Sequence, residues 1–177
     1  MKRICVFCGS RRGRGEDYAA LAVQTAQTIV RAGYGIVYGG GSVGLMGIVA
    51  DTALQCGGEV IGVIPRALAT AEIAHEGLAQ LHIVETMHER KSLMEDFSDA
   101  FIALPGGFGT MDELCEALSW RQLGIHDKPI GLLNYHGYYD ALLRLFDEMV
   151  DQGFLTAENR ALFVEANEIG ELLTRLF

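Results

Sequence analysis

The sequence predicts a doubly wound, mostly parallel α/β sheet of about seven strands with helices on both faces. Three observations carry that prediction: short apolar runs recur along the chain, helical patterns fill the intervals between most of them, and glycines stand just past the ends of three of those patterns. The first run, Ile4 to Phe7, leads through a helix at about Glu16 to Ala32 into the second run, Gly35 to Tyr38, with Gly33 as a C-terminal cap. A helix at Val43 to Cys56, capped by Gly57, carries only Asp51 as a charge. A helix apolar nearly all round is buried on more than one side, so this one is expected between the sheet and a second subunit.

The third and fourth runs are Val60 to Ile64 and His82 to Val84, followed by a helix at His88 to Phe97. Ala100 to Leu104 is the fifth, with a helix at Thr110 to Leu123; Ile130 to Leu133 is the sixth, with a helix at Tyr138 to Gln152 capped by Gly153. Leu162 to Glu165 and a last helix, Glu168 to Leu176, complete the pattern. Pro65, Pro105 and Pro129 all fall at strand boundaries, where a missing N–H costs least.

With 177 residues, half of them apolar, and no repeat or linker, the chain is expected to form one domain over residues 1–177. Folding at this length buries roughly 70% of the extended-chain surface, so the core needs no metal or disulfide staple. A net charge of −9 without a basic run argues against a nucleic-acid partner, although a pocket can still be locally positive. No basic and apolar signal segment precedes Arg3 and no apolar stretch is long enough to cross a bilayer, so a cytoplasmic protein without a membrane partner is expected. Cys5, Cys8, Cys56 and Cys115 are then expected to be reduced. Cys5 and Cys8 form a CxxC pair, but inside a strand pattern their odd spacing sends them to opposite faces as core residues. The five histidines show no paired ligand spacing with the cysteines, and no metal or cofactor is expected.

Two glycine clusters could carry chemistry. Gly39, Gly41 and Gly44 satisfy GxGxxG between a strand and a helix. The match allows either an anion site at a helix N-terminus or a tight turn where helix and sheet pack closely. No acidic residue ends a following strand where a dinucleotide ribose would need one. The second cluster, Pro105-Gly106-Gly107-Phe108-Gly109, lies between a buried strand and a helix start, a donor-rich concavity suited to phosphate. Thr110 and Glu113 have the spacing of a capping box, and helix grammar alone assigns them that role. On the helix from His88, the 100° projection puts Arg90 among Met87, Leu93, Met94 and Phe97, with Lys91 at the rim and Glu89, Ser92, Glu95 and Asp96 opposite. A guanidinium centred on an apolar stripe needs an anionic partner, and a ligand phosphate or Glu113 would serve; the plainer alternative is an arginine snorkelling at the core's edge.

Pro105 to Glu113 matches PGGxGTxxE, the signature of the Lonely Guy family of cytokinin-activating phosphoribohydrolases, long labelled lysine decarboxylases. Val6 to Ser10 resembles that family's opening strand and loop, Tyr38 to Gly47 its YGGGSxGLMG segment, and Val60 to Pro65 its VIGVIP strand. Met87 to Lys91 resembles its MHxRK motif and Leu123 to Leu133 its LGIHDKPIGLL. The resemblance covers nearly the whole chain. It implies a Rossmann-like fold, a homodimer, and hydrolysis of N6-modified adenosine 5′-monophosphates, often with AMP, to free base and ribose 5-phosphate. It implies Arg90 and Glu113 as catalytic residues. As substrate contacts it implies Ser10, Gly41, Glu72, Arg90, Lys91, Gly107, Phe108, Gly109, Thr110, Met111, Asp112 and Ser119, the last standing where plant members usually carry Thr. Two departures are Asp112 in place of a common Glu, and Arg11-Arg12 after Ser10, which adds charge beside the nucleotide loop.

Cleaving an N-glycosidic bond puts positive charge on the ribose and negative charge on the base, which calls for a carboxylate near C1′. Glu113 supplies it, with water activation the favoured role, and Arg90 orients it and favours its ionised form. Two other readings remain: a non-catalytic nucleotide-binding protein, and a pyridoxal-dependent decarboxylase, which would need Lys2, Lys91 or Lys128 as Schiff base.

Overall fold

The computed structural model describes residues 1–69, 74–75 and 77–177. Its strands are β1 (Arg3–Phe7), β2 (Gly35–Tyr38), β3 (Val60–Pro65), β4 (Gln80–Val84), β5 (Ala100–Ala103), β6 (Ile130–Leu133) and β7 (Phe163–Ala166). The helices are α1 (Asp17–Arg31), α2 (Gly44–Gln55), α3 (Met87–Asp96), α4 (Phe108–Gln122), α5 (Asp140–Asp151), α6 (Ala157–Arg160) and α7 (Ile169–Leu176). All neighbouring strands are parallel, in the order β4-β3-β2-β1-β5-β6-β7.

Period-two alternation sorts the strand residues between two cores. Ile4 and Val6 of β1 join Leu21 of α1, Val49 of α2 and Leu172 of α7 on one face. Cys5 and Phe7 join Met94 of α3, Leu114 of α4 and Leu143 of α5 on the other. Cys5 and Cys8 therefore lie in different cores, as their spacing requires, and all four cysteines are free thiols. The cap glycines Gly33, Gly57 and Gly153 adopt φ of +82°, +74° and +78°, the left-handed conformation that ends a helix cheaply only in glycine.

From β1 the chain winds outward to β4, returns to β5 beside β1, and winds out the other way to β7. At that reversal the connections leaving β1 and β5 diverge, and the crevice beyond their carboxyl ends is where open α/β sheets bind ligands. The loops that open there are Cys8 to Glu16 and Leu104 to Gly107. Tyr139 and Tyr138 hold the second of them, their hydroxyls donating to the carbonyls of Leu104 at 2.6 Å and Gly106 at 2.7 Å.

One expectation changes and two details are added. First, α4 begins at Phe108 with Gly107 as its N-cap, and Met111 N–H donates to Gly107 O at 3.1 Å. Thr110 and Glu113 are thus inside the helix and form no capping box; the capping box belongs to α3, where Thr86 and Glu89 exchange bonds of 3.1 and 3.3 Å. Second, the apolar α2 packs on α1 as well as on the sheet and still leaves Met46, Ile48 and Leu54 half-buried. Third, α6 is a single turn, capped by Thr156 accepting from Asn159 N–H, too short to leave a periodic signal. Among the described residues no helix is long and apolar enough to cross a membrane.

Candidate active site

Beyond the ends of β1 and β5 lies a cavity of about 500 Å³. Among the described residues its charged and hydroxyl side chains are Ser10, Arg11, Arg90, Thr110 and Glu113, and its apolar wall includes Met46, Ile64, Leu68 and Met87. α3 delivers Arg90 and α4 delivers Glu113, each only 9% exposed.

The Arg90 guanidinium is fixed on three sides. Its Nε donates to Val63 O at 3.1 Å, its Nη2 donates to Gly39 O at 3.1 Å, and its Nη1 lies 3.5 Å from Glu113 Oε1. Gly39 makes this possible, because a methyl group there would sit 1.9 Å from Arg90 Nη2. The first glycine cluster is therefore a close-packing device: a methyl at Gly44 would meet the Ser10 carbonyl carbon at 2.2 Å, and one at Gly47 the Ser42 oxygen at 2.1 Å.

Burial pushes the Glu113 carboxyl up to about 7, over the opposing pull of Arg90; Asp112 and Glu116 push the same way and Lys91 opposes them. A carboxyl poised there can hold or release a proton at neutral pH. Arg90 thus acts in the expected direction, favouring the ionised form, but burial outweighs it.

The second glycine cluster is built differently. Gly106 is required by packing, since a methyl there would lie 2.0 Å from Thr110 Oγ1 and 3.0 Å from Gly9 N. Gly107 and Gly109 face open space, with nothing within 4 Å of such a methyl, and neither has a positive φ. Neither the fold nor the backbone needs glycine at these two positions, but an anion approaching the main chain would. The N–H groups of α4's first turn have no acceptor within the helix, and the buried Thr110 Oγ1 has no hydrogen-bond partner among the described residues.

The family model described as "Possible lysine decarboxylase" matches residues 46–176. The chain is 50% identical to the cytokinin riboside 5′-monophosphate phosphoribohydrolase LOG5 of Arabidopsis thaliana, over 99% of this chain and 77% of that protein. It is 47% identical to the LOG enzyme of that name from Oryza sativa subsp. japonica, over 99% of this chain and 72% of the relative. The chain belongs to the LOG family. Among solved structures, a molybdenum cofactor carrier protein from Chlamydomonas reinhardtii superposes with a TM-score of 0.72 at 22% identity, covering 99% of this chain and 98% of that one. A molybdenum cofactor binding protein from Rippkaea orientalis gives 0.73 at 19%, covering 99% and 95%. At such identities the likeness extends to the fold alone.

Of the residues that the LOG signature singles out, one cavity brings together Ser10, Gly41, Arg90, Gly107, Phe108, Gly109, Thr110 and Glu113. Lys91, Met111, Asp112 and Ser119 do not line it. Lys91 pairs with Glu116 at 2.6 Å and Asp112 at 3.1 Å, across the α3–α4 contact. Ser119 is exposed further along α4, beside Phe146 and Met149. Glu72 lies outside the described residues. Glu95, expected on the solvent side of α3, is half-buried in an ion pair with Lys128. With Lys91 and Lys128 so engaged and Lys2 over the Phe177 ring, no lysine lines the cavity to form a Schiff base. Sequence reasoning did not single out Gly39 as the space for Arg90 or Val63 O as its acceptor. The first carried only a glycine signal, and a main-chain carbonyl carries none.

Proposed function

We propose that this chain hydrolyses the N-glycosidic bond of nucleoside 5′-monophosphates, cytokinin riboside monophosphates and AMP, to free base and ribose 5-phosphate. The observation that carries this reading is one cavity holding both an open glycine cradle on a helix N-terminus and a buried carboxylate with a proton affinity near neutrality. The family agrees with it, since the relatives bear that activity in their names.

In this reading the 5′-phosphate accepts hydrogen bonds from the amides of α4's first turn and from the hydroxyls of Thr110 and Ser10. Anchoring the phosphate fixes C1′ relative to Glu113, so binding energy remote from the reacting bond lowers the barrier. Glu113, ionised, takes a proton from the attacking water as the ribose gains positive charge, and its own charge stabilises that ring. Arg90 holds the carboxylate in place. Met46, Ile64, Leu68 and Met87 give the base an apolar wall that suits an N6 hydrocarbon substituent. Lys91, Met111, Asp112, Ser119 and Glu72 remain family-implied contacts.

The enzyme is read as a cytoplasmic homodimer formed from one domain per chain, with no metal, cofactor, nucleic-acid or membrane partner. The half-buried Met46, Ile48 and Leu54 of α2 support an interface there. Product analysis with AMP and isopentenyladenosine monophosphate side by side tests the reading. It expects adenine or isopentenyladenine with ribose 5-phosphate, and no comparable release from the nucleosides. Equal turnover of adenosine and AMP would refute the role of the cradle.

A further inference from the structure

Beside the Ser10 and Gly107 loops lies a second cavity, of about 550 Å³, which neither Arg90 nor Glu113 lines. Two arginines, Arg11 and Arg12, line it, and among the described residues no carboxylate does, on a chain whose net charge is −9. Neither arginine has an ion-pair or hydrogen-bond partner among the described residues. The other cations near the cradle are committed, Arg90 to Glu113 and two carbonyls, Lys91 to Asp112 and Glu116.

The loop that carries these arginines is anchored to the loop that carries the cradle. Gly13, at φ +80°, lies so close to Tyr18 that a methyl there would come within 2.6 Å of the ring. The Tyr18 ring stands edge-on to Tyr138 at 6.0 Å, and the Tyr138 hydroxyl donates to Gly106 O at 2.7 Å. Ser10, Arg11, Gly107 and Phe108 line both cavities and form the rim between them. A phosphate on α4's first turn therefore lies where the two cavities meet, with Glu113 in the first, Arg11 bordering both and Arg12 in the second alone.

We propose that the arginine cavity is a subsite for a second phosphate group, so that this chain binds nucleoside 5′-diphosphates with the inner phosphate on the cradle and the outer one on Arg11 and Arg12. The inference rests on the nucleotide reading above, because that reading puts the inner phosphate on the cradle. Unpaired guanidinium groups and a phosphate form charge-assisted hydrogen bonds, and they do so without stripping either arginine from an existing partner.

Competitive inhibition of AMP hydrolysis by ADP tests it, with Arg12→Ala as the variant, since Arg12 lines only the second cavity. In the wild type, the Ki of ADP is expected at or below the KM of AMP. Arg12→Ala should raise that Ki by about tenfold, the scale of one charge-assisted hydrogen bond, and leave kcat and KM for AMP within about twofold. Arg12→Lys should recover part of the loss. An unchanged Ki in Arg12→Ala, or wild-type ADP binding ten times weaker than AMP, overturns the proposal. So does a cavity that takes inorganic phosphate alone, seen as phosphate binding lost in Arg12→Ala while ADP binds no better than AMP. Should AMP not be turned over, the hydrolase reading fails by itself. Calorimetric titration of ADP into wild type and Arg12→Ala then decides the subsite by the same tenfold criterion.

Discussion

Arg90 Nη1 and Glu113 Oε1 face each other at 3.5 Å in a crevice where both residues are buried, although the two are far apart in the chain and lie on different helices. The pair is asymmetric in its support. Arg90 is held by two carbonyls besides the carboxylate, whereas Glu113 looks into the cavity and keeps a proton affinity near neutral pH.

That affinity fixes two pH dependences. A general base acts deprotonated, so kcat/KM should rise with pH, half-maximal near pH 7 and near a tenth of its plateau at about pH 6. For stability the sign is opposite. Between the ordinary carboxyl value of about 4.3 and about 7, the folded state binds a proton that the unfolded state has released, so Glu113 lowers stability as pH rises through that window. Over the window the loss is about 4 kcal/mol, and denaturant unfolding across it should show the slope in wild type and not in Glu113→Gln. A flat difference between the two proteins contradicts the assignment.

Glycines of one motif should separate by function. Gly106→Ala collides with Thr110 Oγ1 and is expected to lower stability by about 1–3 kcal/mol, as overpacking does. Gly107→Ala and Gly109→Ala meet nothing in the folded chain, so melting temperatures should hold while KM for AMP rises by about tenfold or more, the cost of losing a close main-chain contact to phosphate. Unchanged KM in both would remove the cradle from substrate binding.

Much of this was legible in the sequence. Apolar runs and cap glycines marked all seven strands, and the buried position of Arg90 followed from its place on a helical stripe. Local grammar failed at Thr110 and Glu113, where capping-box spacing coincides with a site whose carboxylate is recruited by Arg90 from another helix, a tertiary relation no local window contains. It failed likewise at Glu95, turned inward by Lys128.

Gly39→Ala should behave as an Arg90 variant. The new methyl would occupy the position of Nη2, so the guanidinium must leave both Gly39 O and Glu113. Gly39→Ala and Arg90→Ala should each lower kcat by about 10² or more and move the acid limb of the pH profile upward, because the charge that restrains the Glu113 carboxyl is gone. A profile unmoved in both variants would mean that Arg90 does not act through Glu113.

Sedimentation at micromolar concentration should give a dimer, and Ile48→Glu on α2 should shift it toward monomer by burying an unpaired charge. A monomeric wild type contradicts the assembly, and a dimer indifferent to Ile48→Glu contradicts the α2 interface.

The most direct test of the account is the turnover of Glu113→Gln, followed as free adenine released from AMP, alongside its circular dichroism and melting curve. Glutamine keeps the shape and removes the charge. The account predicts a folded protein with kcat lower by about 10² or more, the scale of removing a positioned base or electrostatic group. A folded Glu113→Gln protein that releases adenine at near the wild-type rate would contradict it.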